Sequence, residues 1–102
     1  MNIDDILKDD DAVAIYFWGQ NCGVCHAIQP KVEDLLKSKF PKIKYYSFDA
    51  QEHKALAASL SVFSIPTLLI FFDKKEFIRK SRNISIPLLE DEISRPYHMI
   101  FS

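Results

Sequence analysis

The chain has 102 residues, 48% apolar and 13% aromatic, with 13 Lys and Arg against 14 Asp and Glu for a formal net charge of −1. That length and apolar content suffice for one domain, residues 1–102, built around a single core without covalent staples. Balanced charge argues against nucleic-acid or anionic-membrane partners, and no apolar run approaches the roughly 18 residues of a membrane span.

The N-terminal stretch Met1–Asp11 is acidic and lacks a basic-then-apolar leader, which reads as a cytoplasmic protein. Asn2 is placed to cap a short helix, with Asp4 and Asp5 in its first turn and Ile3, Ile6 and Leu7 on one face. Ala12 to Trp18 is continuously apolar, the pattern of a strand buried on both faces. From Gly23 to Phe40, residues Val24, Ile28, Val32, Leu35 and Leu36 recur at helical spacing. Pro30 falls inside that helix, where it costs a hydrogen bond and bends the axis. Ile43–Phe48 reads as a second strand. Asp49 and Glu52 have the spacing of a capping box opening a helix that runs to about Leu60.

Thr67–Phe72 is apolar throughout and predicts a central third strand. Asp73, Lys74 and Lys75 form a turn into a fourth strand, Glu76 to about Arg82. The basic residues Lys74, Lys75, Arg79, Lys80 and Arg82 suit the solvated face and turn of an edge strand. Ser85 caps a last helix with Pro87 in its first turn and Leu89 and Ile93 facing inward. Pro96 is expected to stop or kink it, leaving Tyr97, Met99, Ile100 and Phe101 as an apolar tail that packs on the sheet in preference to forming a dimer seam. Strands joined through a helix are expected to be parallel, and the short turn at 73–75 makes the last pair antiparallel. The predicted fold class is α/β, a four-stranded mixed sheet flanked by helices on both faces.

The chain has two cysteines and two glycines, all between Gly19 and Cys25. In a reducing compartment a close cysteine pair is rarely a staple, and closing so short a loop adds little stability. Trp18-Gly19-Gln20-Asn21-Cys22-Gly23-Val24-Cys25 follows a buried strand and opens a helix, a context that gives Cys-x-x-Cys chemical meaning. Free amides at a helix start favour a thiolate there. Cys22 lies at the turn and is expected to be exposed, with Cys25 one turn further in and covered. Cys22 would attack a substrate disulfide, and Cys25 would resolve the mixed disulfide from inside. His26, four residues after Cys22, either tunes that thiolate or is a plain exposed histidine. Tetrahedral zinc requires four ligands; two thiolates and His26 fall short, and His53 and His98 lack ligand-like spacing, so no metal is expected.

Trp18, Cys22-Gly23-Val24-Cys25, Pro30 and Ile65-Pro66-Thr67 resemble the thioredoxin family pattern, in order and spacing, over almost the full chain. The resemblance implies the thioredoxin fold, with Pro66 cis and facing the cysteines. The backbone before Pro66 would pair with a bound peptide strand. Trp18, Gly23, Val24, Ile65 and Pro66 would then form the substrate surface. It further implies disulfide-containing protein substrates, thioredoxin reductase as electron donor, no bound cofactor, and a monomer. A glutaredoxin fits less well, since no Gly-Gly pair follows Pro66.

Several positions depart from the family pattern. The extra first strand is missing, Asn21 replaces the usual Trp, and Val24 the usual Pro. Tyr16 and Tyr45 stand where the family carries a buried Asp and its Lys partner. Their joint loss is physically consistent, because removing one alone would strand a buried charge. A tyrosine titrates near pH 10 and cannot serve as the carboxylate's base at neutral pH. The loss bears on rate and redox poise rather than on the exchange chemistry itself. A rival reading is a non-catalytic protein-binding module or thiol redox sensor on the same fold.

Overall fold

The apolar run at 12–18 is strand β1 (Ala12–Trp18), and Ala12 to Phe17 are all buried. The computed structural model describes residues 2–102; Met1, at the head of the acidic stretch, lies outside the described residues. Around β1 the chain forms α1 (Ile3–Leu7), α2 (Gly23–Lys39), β2 (Lys44–Asp49), α3 (Lys54–Ser59), β3 (Thr67–Phe72), β4 (Lys75–Ser81) and α4 (Ile86–Phe101). The strands form one sheet in the order β2-β1-β3-β4. β1 and β3 occupy the centre, which is why both are apolar at nearly every position; the exception, Thr67, is buried with its hydroxyl donating to Ser64 O at 2.7 Å.

Strand side chains alternate between faces, and each face of the sheet has its own core. Ala12, Ala14, Tyr16, Leu68, Ile70 and Phe72 pack with Val32, Leu35 and Leu36 of α2 and with Leu89, Ile93 and Tyr97 of α4. Val13, Ile15, Phe17, Leu69 and Phe71 pack with Ile6 and Leu7 of α1 and Leu56 and Ala57 of α3. The caps expected at Asn2 and Ser85 form. Asp5 N–H donates to Asn2 Oδ1 at 3.0 Å and Leu88 N–H to Ser85 Oγ at 3.4 Å.

The structure corrects the reading of the sequence in several places. First, β1 and β2 are parallel, but β3 runs antiparallel to β1 although a helix precedes it. A parallel return would carry the chain back along a strand of about 20 Å. Instead the 50–66 connection turns back and re-enters the sheet at the end it left, since Thr67 pairs with Phe17, next to the Trp18 that pairs with Asp49.

Second, Asp49 and Glu52 form no capping box. α3 begins at Lys54, and its N-cap, His53, makes no side-chain cap bond. Asp49 is still the last residue of β2, paired with Trp18, and its Oδ1 accepts the Gln51 amide at 2.9 Å.

Third, α4 continues through Pro96 to Phe101. The ring costs about 3 kcal/mol in a helix. An aromatic such as Tyr97 buries roughly 150–250 Å², about 4 kcal/mol or more at 25 cal/mol/Å², so burial prevails. Tyr97 is 6% exposed, its ring stands edge-on to Phe40 at 5.0 Å, and its hydroxyl accepts the Lys42 amide at 3.1 Å.

The 73–75 turn is one residue shorter than read, because Lys75 already pairs with Phe72. Asp73 and Lys74 alone make the bend, with φ of 52° and 65°. A register shift between Ile70 and Phe71 leaves Phe77 unpaired, 57% exposed and edge-on to Phe72. Among the described residues no helix is long and apolar enough to cross a membrane.

Candidate active site

β1 delivers the chain to one end of the sheet, where Trp18 O accepts the Ala50 amide at 2.8 Å. The turn that follows is closed by Cys22 N–H donating to Gly19 O at 3.2 Å. Cys22 is the N-cap of α2, with extended backbone, and its Sγ accepts the Cys25 amide at 3.1 Å. The helix start thus aims a donor at the outer sulfur, where it favours negative charge. Cys22 and Cys25 are joined in a disulfide with Cα atoms 5.3 Å apart. Cys22 is half-buried and Cys25 is 0% exposed.

The Ile65–Pro66 peptide bond is cis. Phe17 pairs with Thr67 across β1 and β3, which carries the 65–66 segment to the end of the sheet that bears the disulfide. Contact there is close: a Cβ on Gly19 would lie 2.6 Å from Ile65 Cδ1. Absence of a side chain at 19 therefore lets Ile65 lie against the turn. Trp18, Gly19, Gln20, Asn21, Asp49, Ala50, Gln51, Glu52 and Ile65 line an open groove of about 400 Å³.

The expected site residues divide into two groups. Trp18 and Ile65 line the groove, and Pro66 is buried behind it. Gly23 and Val24 face solvent on the first turn of α2 and take no part in the groove lining; nothing lies within 4 Å of a Cβ placed on Gly23, and Val24 is 47% exposed. His26 is exposed, its Nε2 lies 3.1 Å from Gln20 O, and its ring stacks obliquely 5.7 Å from Trp18. It braces the 19–22 turn.

Three features escaped the sequence reading. Tyr16, fully buried, donates its hydroxyl to Cys25 O at 2.7 Å beneath the disulfide. Burial, aided by the charge of Glu33, pushes its pKa up to about 12. For Tyr45 burial again comes first and the charge of Glu33 second, with the nearby Tyr16 adding to them, and it is pushed up further, so both phenols keep their protons at neutral pH. A tyrosine amid a fully buried strand must find a partner, and that was the available signal.

Arg79 grips the end of α3, donating to Leu60 O at 2.6 Å and Ser61 O at 3.2 Å while forked onto Glu76. Arg82 N–H donates to Pro66 O at 2.7 Å. Neither contact has a local sequence signature.

The thioredoxin family model matches residues 2–93. The thioredoxin-like protein YdfQ of Bacillus subtilis is 33% identical over 99 residues, 97% of this chain and 88% of its own. An M-type chloroplastic thioredoxin of Brassica napus is 36% identical over 75 residues, 72% of this chain but only 42% of that protein. Among solved structures, thioredoxin 1 of Thermosipho africanus superposes with a TM-score of 0.78 at 29% identity, covering 88% of this chain and 99% of that one. A mutant thioredoxin from Halobacterium salinarum gives 0.82 at 28% identity, covering 93% and 82%. With the cysteine pair at the head of α2 and the matching four-stranded sheet, the chain belongs to the thioredoxin family and is a thiol–disulfide oxidoreductase.

Proposed function

We propose that the chain reduces disulfides in proteins, with Cys22 as the attacking thiol and Cys25 as the resolving one. The placement of Cys22 carries this reading: half-buried at the N-cap of α2 with an amide aimed at its Sγ, above a fully covered Cys25. In the reduced form the Cys22 thiolate attacks one sulfur of the substrate disulfide. That bond breaks, and the other substrate sulfur leaves as a thiolate and takes a proton from solvent. Cys25, giving up its own proton, then attacks Cys22 Sγ. The Cys22–Cys25 disulfide forms and the second substrate thiol departs. Two electrons pass from the cysteine pair to the substrate, and an external dithiol donor restores them; thioredoxin reductase is the proposed donor.

The substrate strand is proposed to lie along Ile65–Pro66 over Trp18 and Gly19, with the exposed Gly23 and Val24 on its far side. His26 would act on Cys22 only through the 19–22 turn it braces. A monomer working in the reducing cytoplasm, with no cofactor of its own, completes the proposal.

The protein should accelerate reduction of a disulfide-linked test protein by dithiothreitol, and Cys25→Ser should accumulate mixed disulfides. No acceleration, with Cys22 inert to alkylation near neutral pH, would replace this reading by a binding module or redox sensor. One observation favours that rival: neither Tyr16 nor Tyr45 can take the proton of Cys25 at neutral pH.

A further inference from the structure

We propose that Arg82 is a specificity-determining residue that favours disulfide substrates carrying an acidic side chain beside the reacting cysteine. The proposal rests on the reading that substrate lies along Ile65–Pro66. β4 ends at the same edge of the sheet as the disulfide, since Ser81 pairs with Thr67, and the next residue donates its amide to Pro66 O at 2.7 Å. Arg82 therefore adjoins the proline that the substrate strand would follow. β4 is two strands from β1, about 10 Å in the plane of the sheet, and an extended arginine covers most of that distance.

Its backbone is in the left-handed region, with φ of 65°. Glycine adopts that conformation at no steric cost, whereas a long side chain is disfavoured there. Ser61, Asp73 and Lys74 share that region; what sets Arg82 apart is its place beside Pro66 together with a charge that no carboxylate pairs. The neighbouring cations on β4 are engaged: Arg79 with Glu76, and Lys80 with Glu92 at 2.7 Å. Lys74 and Lys75 stand at the opposite end of the strand. Among the described residues Arg82 is exposed and in no ion pair.

The opposite rim of the site has the other sign. The groove lining includes Asp49 and Glu52 and no Lys or Arg. The groove itself is thus negative and the end of β4 positive, on a chain whose net charge is only −1; Lys54, at the start of α3, lines the adjoining hollow rather than the groove. A carboxylate on the substrate, beside the cysteine and toward β4, meets a planar fork of donors suited to it. Exposed pairs of this kind act on encounter rate, change it severalfold, and weaken as salt rises.

Two synthetic peptides with the same disulfide, one with Glu and one with Lys beside the cysteine on that side, test the proposal. Oxidation of the reduced protein by each is followed through Trp18, the one tryptophan in the chain, at low and high salt. The acidic peptide should react about fivefold faster in dilute buffer, with the preference fading near 0.5 M salt. Arg82→Lys should keep most of the preference, Arg82→Gly should abolish it while relieving the backbone, and Arg82→Glu should reverse it. Equal rates for the two peptides, or a preference that survives in Arg82→Gly, would overturn the role of Arg82 alone. If neither peptide oxidises the protein, the reductase reading falls and this proposal with it.

Discussion

Replacing Tyr16 by Phe tests whether the hydroxyl beneath the disulfide is a structural tie. It removes one oxygen from a residue that is 0% exposed and deletes the 2.7 Å bond to Cys25 O. A buried hydrogen bond contributes a net of about 0.5–1.5 kcal/mol. The Cys25 carbonyl also faces the amide of residue 29 along the helix ladder. It is not orphaned, which holds the cost near 1 kcal/mol rather than the ~3 kcal/mol of a stranded polar group. For a chain of this size that lowers Tm by about 4–8 °C, measurable by calorimetry on the disulfide form.

The pH dependence supplies a second reading. The unfolded chain releases this proton near pH 10 and the folded one only at about 12. Above pH 10 the unfolded state binds fewer protons, so the stability present below pH 10 drains away between 10 and 12. Tyr16→Phe lacks that component, and its alkaline limb should be shallower, with Tyr45 supplying what slope remains. A Tm change below about 2 °C together with an unchanged alkaline limb would refute the buried bond as described.

Lys74→Gly should raise stability by about 0.5–1 kcal/mol, because the side chain at φ 65° in the two-residue turn is replaced by one that tolerates it; urea midpoints report the change. Gly19→Ala should leave urea stability within about 1 kcal/mol, since Gly19 has no positive φ and Ile65 Cδ1 is a flexible chain end that can swing aside. The displaced Ile65 should nevertheless raise KM for a protein disulfide severalfold while kcat holds. The hydrogen bond from Arg79, opposed by partial burial and aided by its charge, holds the Glu76 carboxyl below its usual range near 4.5. The stability it contributes is complete above pH 4.5 and is lost as pH falls through the lowered value. Glu76→Gln should flatten that acid limb, as thermal melts between pH 3 and 7 would register.

Much of this architecture was legible because local chemistry and the fold agree. Asn2 and Ser85 cap helices by the same physics in a peptide as in a protein, and unbroken apolar runs, as at 12–17 and 68–72, admit little but buried strands. The cysteine site was equally plain, since its parts lie within eight residues. Contacts that join distant segments were not. The direction of β3 depends on where the 50–66 connection returns to the sheet. The helix survives Pro96 only because Tyr97 meets Phe40, 57 positions away. Arg79 and Tyr16 read as a surface cation and a core aromatic until their carbonyl partners, Leu60, Ser61 and Cys25, are brought beside them. Pro66 shows the same limit from the other side, because its cis geometry came from family likeness, which no count of X–Pro bonds would have supplied.

The family match ends at residue 93, yet the polypeptide continues to be used beyond it. Tyr97 and Phe101 lid the aromatic corner made by Phe40, and a phenol oxygen from the last helix receives the Lys42 amide. Shortened fragments cut at the edge of the recognisable sequence would bare that corner and leave the amide to water. The working boundary for expression, tagging or grafting is consequently Phe101, and any fusion there should leave room for its ring beneath Lys42, whose Nζ sits 5.5 Å from the ring centre.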